Sequence, residues 1–232
     1  MSKKGKKYRA AREGVDPSRL YALPEAVGTL KKMVFARFNE TVEFVIRLGI
    51  DPRHSDQMVR GTVSLPHGTG KTVRVLVFCP PDQVDAAQAA GADFAGGEDL
   101  VEKIKGGWLE FDVAVAHKSM MRDISSLGKV LGPRGLMPSP KAGTVTEDVV
   151  SAIGEVKAGR IEFKTDKNGN VQVAVGKVSF SEENLVENVQ AVIQEIVRLR
   201  PPSAKGRYIK KAFICSTMSP AVQLDTSLFA GA

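Results

Sequence analysis

Leu65-Pro66-His67-Gly68-Thr69-Gly70-Lys71-Thr72-Val73-Arg74-Val75-Leu76-Val77-Phe78 decides how the chain is divided. Gly70-Lys71-Thr72 has the look of a phosphate loop. The Walker pattern would place its first glycine at position 65, which is leucine. It would also need a helix after the threonine, so that free amides and the helix dipole face the phosphates. Thr72–Phe78 reads instead as a buried strand, rich in β-branched and aromatic residues. The stretch is therefore a glycine-rich crossing into a new domain, and an NTP site is rejected.

Beyond the crossing, strand and helix patterns alternate. Val73–Phe78, Ala92–Ala95 and Phe111–Ala116 read as strands; Pro81–Ala90, Glu98–Lys105, Ser119–Leu131 and Thr146–Ala158 read as helices. That order implies a small parallel sheet covered on both faces. No Gly-x-Gly-x-x-Gly follows any of these strands, so a dinucleotide is not expected. His117-Lys118-Ser119 follows a strand end but has no orienting acid at readable spacing, which is more often a structural arrangement.

The flanks read differently. Lys3, Lys4, Lys6, Lys7, Arg9 and Arg12 form a basic arm, expected to be mobile without a partner and suited to phosphate contact. A helix starts at Leu23-Pro24-Glu25, with Ala26, Val27, Leu30, Met33 and Val34 as its apolar stripe. Glu40–Leu48 alternates, with Val42, Phe44, Ile46 and Leu48 on one side. Gln57–Leu65 is a second strand. After Gly159, Arg160–Lys164 and Asn170–Val175 read as a hairpin through Asn168-Gly169, a type I′ signal. Ser181 caps a helix striped by Leu185, Val189, Ile193, Ile196 and Leu199, which Pro201-Pro202 stops. Tyr208–Thr217 is the final strand.

Neither flank is a complete fold. Joined, residues 1–66 and 160–232 make a plausible α+β domain, with 67–159 inserted into it through two adjacent, glycine-marked crossings. The charge splits along the same line. Residues 67–159 carry 10 Lys+Arg against 12 Asp+Glu, and the remainder carries 23 against 14. All the excess of the +7 net charge lies on the flanks, where a polyanion partner would be met.

Composition sets further limits. The chain of 232 residues has no apolar run of eighteen, and its basic N-terminus lacks the apolar core of a signal peptide, so a cytoplasmic location with no membrane is expected. Cys79 and Cys215 read as buried free thiols, and His54, His67 and His117 have no zinc-ligand spacing. Lys129–Thr144 holds six Gly and Pro residues beside Lys129, Arg134 and Lys141. It is a stiff loop that, on residues alone, is as readily a rigid lid as an RNA contact.

That loop, read from Gly128 as Gly-Lys-Val-Leu-Gly-Pro-Arg-Gly-Leu-Met-Pro-Ser-Pro-Lys-Ala-Gly-Thr, closely resembles the signature of the L-one family of large-subunit ribosomal proteins. Phe38–Glu43, Leu48–Lys71 and Lys157–Phe163 resemble the bacterial form of the same family. The resemblance implies an α/β protein of two domains: a split α+β RNA-binding domain (1–66 and 160–232) and an inserted Rossmann-like three-layer α/β domain (67–159). It implies a binding protein without cofactor, a monomer when off the ribosome. Its partners would be the stalk region of large-subunit ribosomal RNA, exit-site transfer RNA and its own operon's messenger, whose translation it would repress. By position, Arg37, Phe38, Thr41, Glu43, Ser216, Thr217 and Met218 would form the RNA patch.

Serine and threonine hydroxyls suit the RNA 2′-hydroxyl, and Glu43 could accept its proton. Arg37, Lys164, Lys167 and the arm would supply phosphate charge. Ser219 stands where the family is expected to have glycine. The rival readings are a nucleotide-dependent enzyme on the inserted sheet, and a basic chaperone that binds any nucleic acid.

Overall fold

The computed structural model describes residues 5–140 and 143–229. Lys3, Lys4 and Lys141 lie outside the described residues. The chain divides into two compact units, Met1–Gly70 with Glu162–Ala232, and Lys71–Ile161. The fold class is mixed α/β.

The first unit is built on a four-stranded antiparallel sheet. Its strands are β1 (Thr41–Leu48), β8 (Asn170–Lys177), β9 (Ile209–Ser216) and β10 (Val222–Leu224), in the order β10-β9-β1-β8. Strand β1 alternates as its sequence predicts: Val42, Phe44, Ile46 and Leu48 are buried, while Glu43 and Arg47 are exposed. The buried side is covered by α2 (Leu23–Lys32) and α8 (Glu182–Arg198). Ser181 caps α8 by accepting the Asn184 amide through its hydroxyl at 3.1 Å, and Glu182 and Glu183 complement the helix dipole. Tyr208 is buried beneath, donates to the Ile196 carbonyl at 3.1 Å, and has its phenol pushed up to about 12 by loss of solvent.

Several expectations are corrected here. The described part of the basic arm is helical: Lys6–Glu13, all strong helix formers apart from Tyr8, makes α1. The last strand is followed by β10, whose three residues are too few to show a period. Strands β2 (Arg60–Ser64) and β7 (Arg160–Lys164) form their own two-stranded ladder, so β7 and β8 lie in different sheets and are not a hairpin. A type I′ turn needs positive φ at both central residues; no described non-glycine residue has it, so of Asn168 and Gly169 only Gly169, at φ 77°, does. Asp166 holds the turn instead. Its carboxylate accepts the amides of Asn168 and Asn170, and these bonds, led by that of Asn170, keep its carboxyl below the usual range.

The second unit is a parallel sheet in the order β4-β3-β5-β6: β3 (Val75–Phe78), β4 (Phe94–Gly96), β5 (Val113–His117) and β6 (Val145–Thr146). Every residue of β3 is buried, because both faces are covered. Leu76 and Phe78 pack with Leu100, Val101 and Ile104 of α4 (Glu98–Lys105). Val75 and Val77 pack with Ala87 of α3 (Val84–Ala89) and with Val149, Ile153 and Val156 of α7 (Val149–Lys157).

The helix expected over Ser119–Leu131 is broken into short turns, of which Met121–Ile124 (α5) and Gly128–Leu131 (α6) are α-helical. The hydroxyls of Ser125 and Ser126 donate to the carbonyls of Arg122 and Asp123, competing with the helix ladder. Ile124, Leu127 and Leu131 keep their buried spacing. Helix α7 starts three residues later than its pattern suggests, because Thr146 pairs with His117 in the sheet and Asp148 caps the helix through the Ser151 amide. Within the proline-rich loop, Ser139 and Thr144 are bonded to each other, and the Thr144 carbonyl accepts from the Ala116 amide of β5.

Candidate nucleic-acid interface

At the Thr41 end of β1 the sheet delivers two hydroxyls side by side. The Thr41 amide donates to Thr217 Oγ1 at 3.1 Å, and the Thr217 amide returns a bond to the Thr41 carbonyl at 3.1 Å. Both stand on the face opposite the helices, in line with Glu43. Phe38 and Met218, 55% and 47% exposed, flank them. Apolar side chains of that size are buried by default. Here they crown two loops that enter and leave the sheet, and the resemblance, not hydropathy, placed them outside.

Beneath the surface lies Glu40, which is fully buried. Its Oε2 accepts from the Ser216 hydroxyl at 2.5 Å and from the Met218 amide at 2.9 Å, and its Oε1 accepts from the Ala36 amide at 3.3 Å. One carboxylate thus fixes the Val34–Asn39 loop, the end of β9 and the backbone of Met218. Asn39 and Ser179 bond mutually and close the approach to β1. Sequence reasoning treated Glu40 only as the start of a strand; an acid directly before an alternating run was the sole hint.

A second residue escaped the sequence reading. By strict alternation Lys177 would follow Val171, Val173 and Val175 into the core. The β1–β8 register shifts at Val42/Glu43, leaving Val175 as an extra residue, and this bulge turns Lys177 to lie opposite Thr41. Its ammonium donates to Thr41 Oγ1 at 2.8 Å. The chain leaves the same corner at Gly70, φ 68°, where a Cβ would stand 2.9 Å from the Phe180 ring.

The expected site residues are only partly brought together. Arg37, Phe38, Thr41, Glu43, Thr217 and Met218 share one end of the sheet. Ser216 is there too, but it is buried and its hydroxyl is committed to Glu40, so it supports the surface rather than forming it. Lys164 and Lys167 are exposed at the other end: they flank the Asp166 turn, and the Gly169 carbonyl accepts from Leu48. Seven residue steps along β1 separate Leu48 from Thr41, roughly 24 Å. Ser219 accepts the Ser216 amide through its hydroxyl at 2.9 Å, and its φ is not positive, so this backbone does not demand glycine there. Cys215 lies beside Glu43; burial, and after it the Glu43 carboxylate, push its thiol up.

Among its described residues the second unit presents no comparable chemistry. Outside the carboxyl ends of β3 and β5, where such sheets take ligands, Met120 Cε lies 3.4 Å from the place of a Cβ on Gly97. His117 Nδ1 accepts the Ser119 amide and meets its hydroxyl at 2.7 Å, a local cap. Among the described residues no group of His, Cys, Asp and Glu could hold a metal, and no helix is long and apolar enough to cross a membrane.

Residues 30–220 match the family model described as the Ribosomal protein L1p/L10e family. The chain is 54% identical over 229 residues to the large ribosomal subunit protein uL1 of Persephonella marina, covering 97% of this chain and 95% of that protein. It is 53% identical over 222 residues to the protein of that name from Nocardioides sp. (96% and 92% covered), and 53% identical over 223 residues to that of Thermobifida fusca (96% and 95%). The chain thus belongs to the Ribosomal protein L1p/L10e family, in its bacterial type, and is a structural ribosomal protein rather than an enzyme.

Proposed function

We propose that the chain binds a folded region of large-subunit ribosomal RNA through the Thr41–Thr217 end of its first unit. There it forms the mobile stalk beside the exit site and assists release of deacylated transfer RNA. By the same surface it binds a similar fold in its own operon's messenger and represses translation. The carrying observation is the pair of exposed apolar side chains, Phe38 and Met218, set around two hydroxyls and pinned from below by a buried carboxylate. Such a surface suits an RNA read by shape: hydroxyls and Glu43 for 2′-hydroxyls, Phe38 for a sugar or base face, Arg37 and Lys177 for phosphate. Lys164 and Lys167 serve, in this reading, as peripheral phosphate contacts. The inserted unit, Lys71–Ile161, is in this proposal a separately folding domain that is not needed for the RNA contact.

Phe38→Ala is expected to weaken stalk-RNA binding about tenfold or more, the scale of one lost stacking contact. Thr217→Ala should weaken it several-fold, with Thr217→Ser restoring it. Both variants should keep the wild-type unfolding midpoint. Wild-type affinity in folded Phe38→Ala and Thr217→Ala would remove the patch from the account.

A further inference from the structure

We infer that the groove between α1 and α2 is a second RNA surface, one that holds the phosphate backbone of the same RNA where it runs on from the Phe38 patch. The inference rests on the RNA-binding reading above. Helix α1 has no buried residue. Its inward face is Lys7, Ala10 and Ala11, continued by Gly14 at its C-terminal cap, at i, i+3, i+4 and i+7, where a packing helix would carry large apolar side chains. The small residues leave an open groove of about 640 Å³ against Thr29, Lys32, Met33, Val34 and Phe35.

Two cations, Lys7 and Lys32, line the groove and no acid does. Helix α1 carries Lys6, Lys7, Arg9 and Arg12 against the single acid Glu13, and Lys32 stands on the facing helix. These five cations are exposed, and among the described residues none of them enters an ion pair. An isolated eight-residue helix is marginal in water, and a row of unpaired cations weakens it further. A polyanion laid along it would relieve that repulsion.

Continuity with the patch identifies the polyanion. Phe35 lines the groove, the next residue, Ala36, is tied to Glu40, and Phe38 is exposed three residues on. Three residues span at most about 11 Å. One RNA strand leaving Thr41 and Thr217 therefore meets Lys7 and Lys32 next. The groove adds affinity and salt dependence but reads no sequence, since only backbone charge is addressed.

The test is a salt series of binding to the stalk region of large-subunit ribosomal RNA and to a scrambled hairpin of equal length, using the full chain. Lys7→Gln/Lys32→Gln should reduce the slope of log K against log salt by about 1.5, the value for two lost phosphate contacts. The preference for the stalk RNA should stay unchanged. Lys103→Gln/Lys105→Gln, an equal charge change at exposed positions of α4, should leave the slope as in wild type. A wild-type slope in the first variant, with Phe38→Ala still impaired, would overturn the groove and leave the patch standing. An equal loss in the α4 variant would overturn it too, since net charge alone would be acting. A wild-type chain with no preference for the stalk RNA would end the patch reading and this inference together.

Discussion

Glu40→Ala is expected to lower stability by about 3 kcal/mol and to reduce stalk-RNA affinity at least tenfold. Three donors converge on this one buried carboxylate, from Ala36, Ser216 and Met218. Leaving a buried donor unmet costs roughly 1–3 kcal/mol, and more where the lost partner was charged. Relief from burying the carboxylate itself offsets part of that sum. The loss falls on the two loops that carry Phe38 and Met218, so affinity follows stability. Glu40→Gln keeps one carbonyl oxygen, which can still accept from Ser216 and Met218 while only the Ala36 bond is lost. It should cost about 1 kcal/mol and retain most binding. Denaturant titration beside RNA affinity separates the variants. Wild-type affinity in Glu40→Ala would mean that the surface is not organised from below.

Asn188→Leu should be destabilised by about 2–4 kcal/mol, although it replaces a polar core residue with an apolar one. Asn188 is fully buried on α8. Its amide nitrogen donates to the carbonyls of Val175 at 2.7 Å and Gly68 at 3.1 Å, and its oxygen accepts the His67 amide at 3.1 Å. Leucine leaves all three backbone groups without these bonds, and the Val175 carbonyl loses its partner in a buried setting. The site joins three parts of the first unit distant in sequence: the segment before Gly70, the bulged strand β8 and helix α8. Its failure should therefore lower the cooperative unfolding midpoint, not merely loosen a loop. A midpoint near that of wild type would show that the first chain segment is held by other contacts.

How far these features could be read from the chain depended on whether they were periodic. Strand β1 and helix α8 repeat over eight or more residues, and the Ser181 cap is a local rule, so all three were legible. The failures have short-range causes that compete with a period. Serine hydroxyls at 125 and 126 break a helix whose apolar spacing is intact. Asn168-Gly169 promises a hairpin, but Asp166 closes the turn and β7 takes β2 as its partner. Strands β6 and β10, of two and three residues, exist only because a longer strand stands beside them.

The site divides in the same way. The exposed Phe38 and Met218 could be placed only through the family resemblance, since hydropathy alone buries them. Glu40 could not be found from spacing, because its three donors come from loops 36 and 216–218 and meet only in the folded unit. Lys177 required a bulge, and one extra residue in a strand leaves no mark in composition. The separation of Lys164 and Lys167 from Thr41 followed from the β1 register, which the sequence does not state. The conformation at one crossing has a physical reason that a sequence can carry: Gly70 stands at positive φ against the Phe180 ring, where any side chain would be strained.

The most direct test is the affinity of the wild-type chain for the stalk region of large-subunit ribosomal RNA against a scrambled hairpin of the same length, across a salt series. The account predicts tight binding to the stalk RNA that survives moderate salt, and a clear preference over the scrambled control at every salt concentration. Equal affinity for both RNAs, falling steeply and in parallel as salt rises, would contradict it: the chain would then be reading phosphate charge alone.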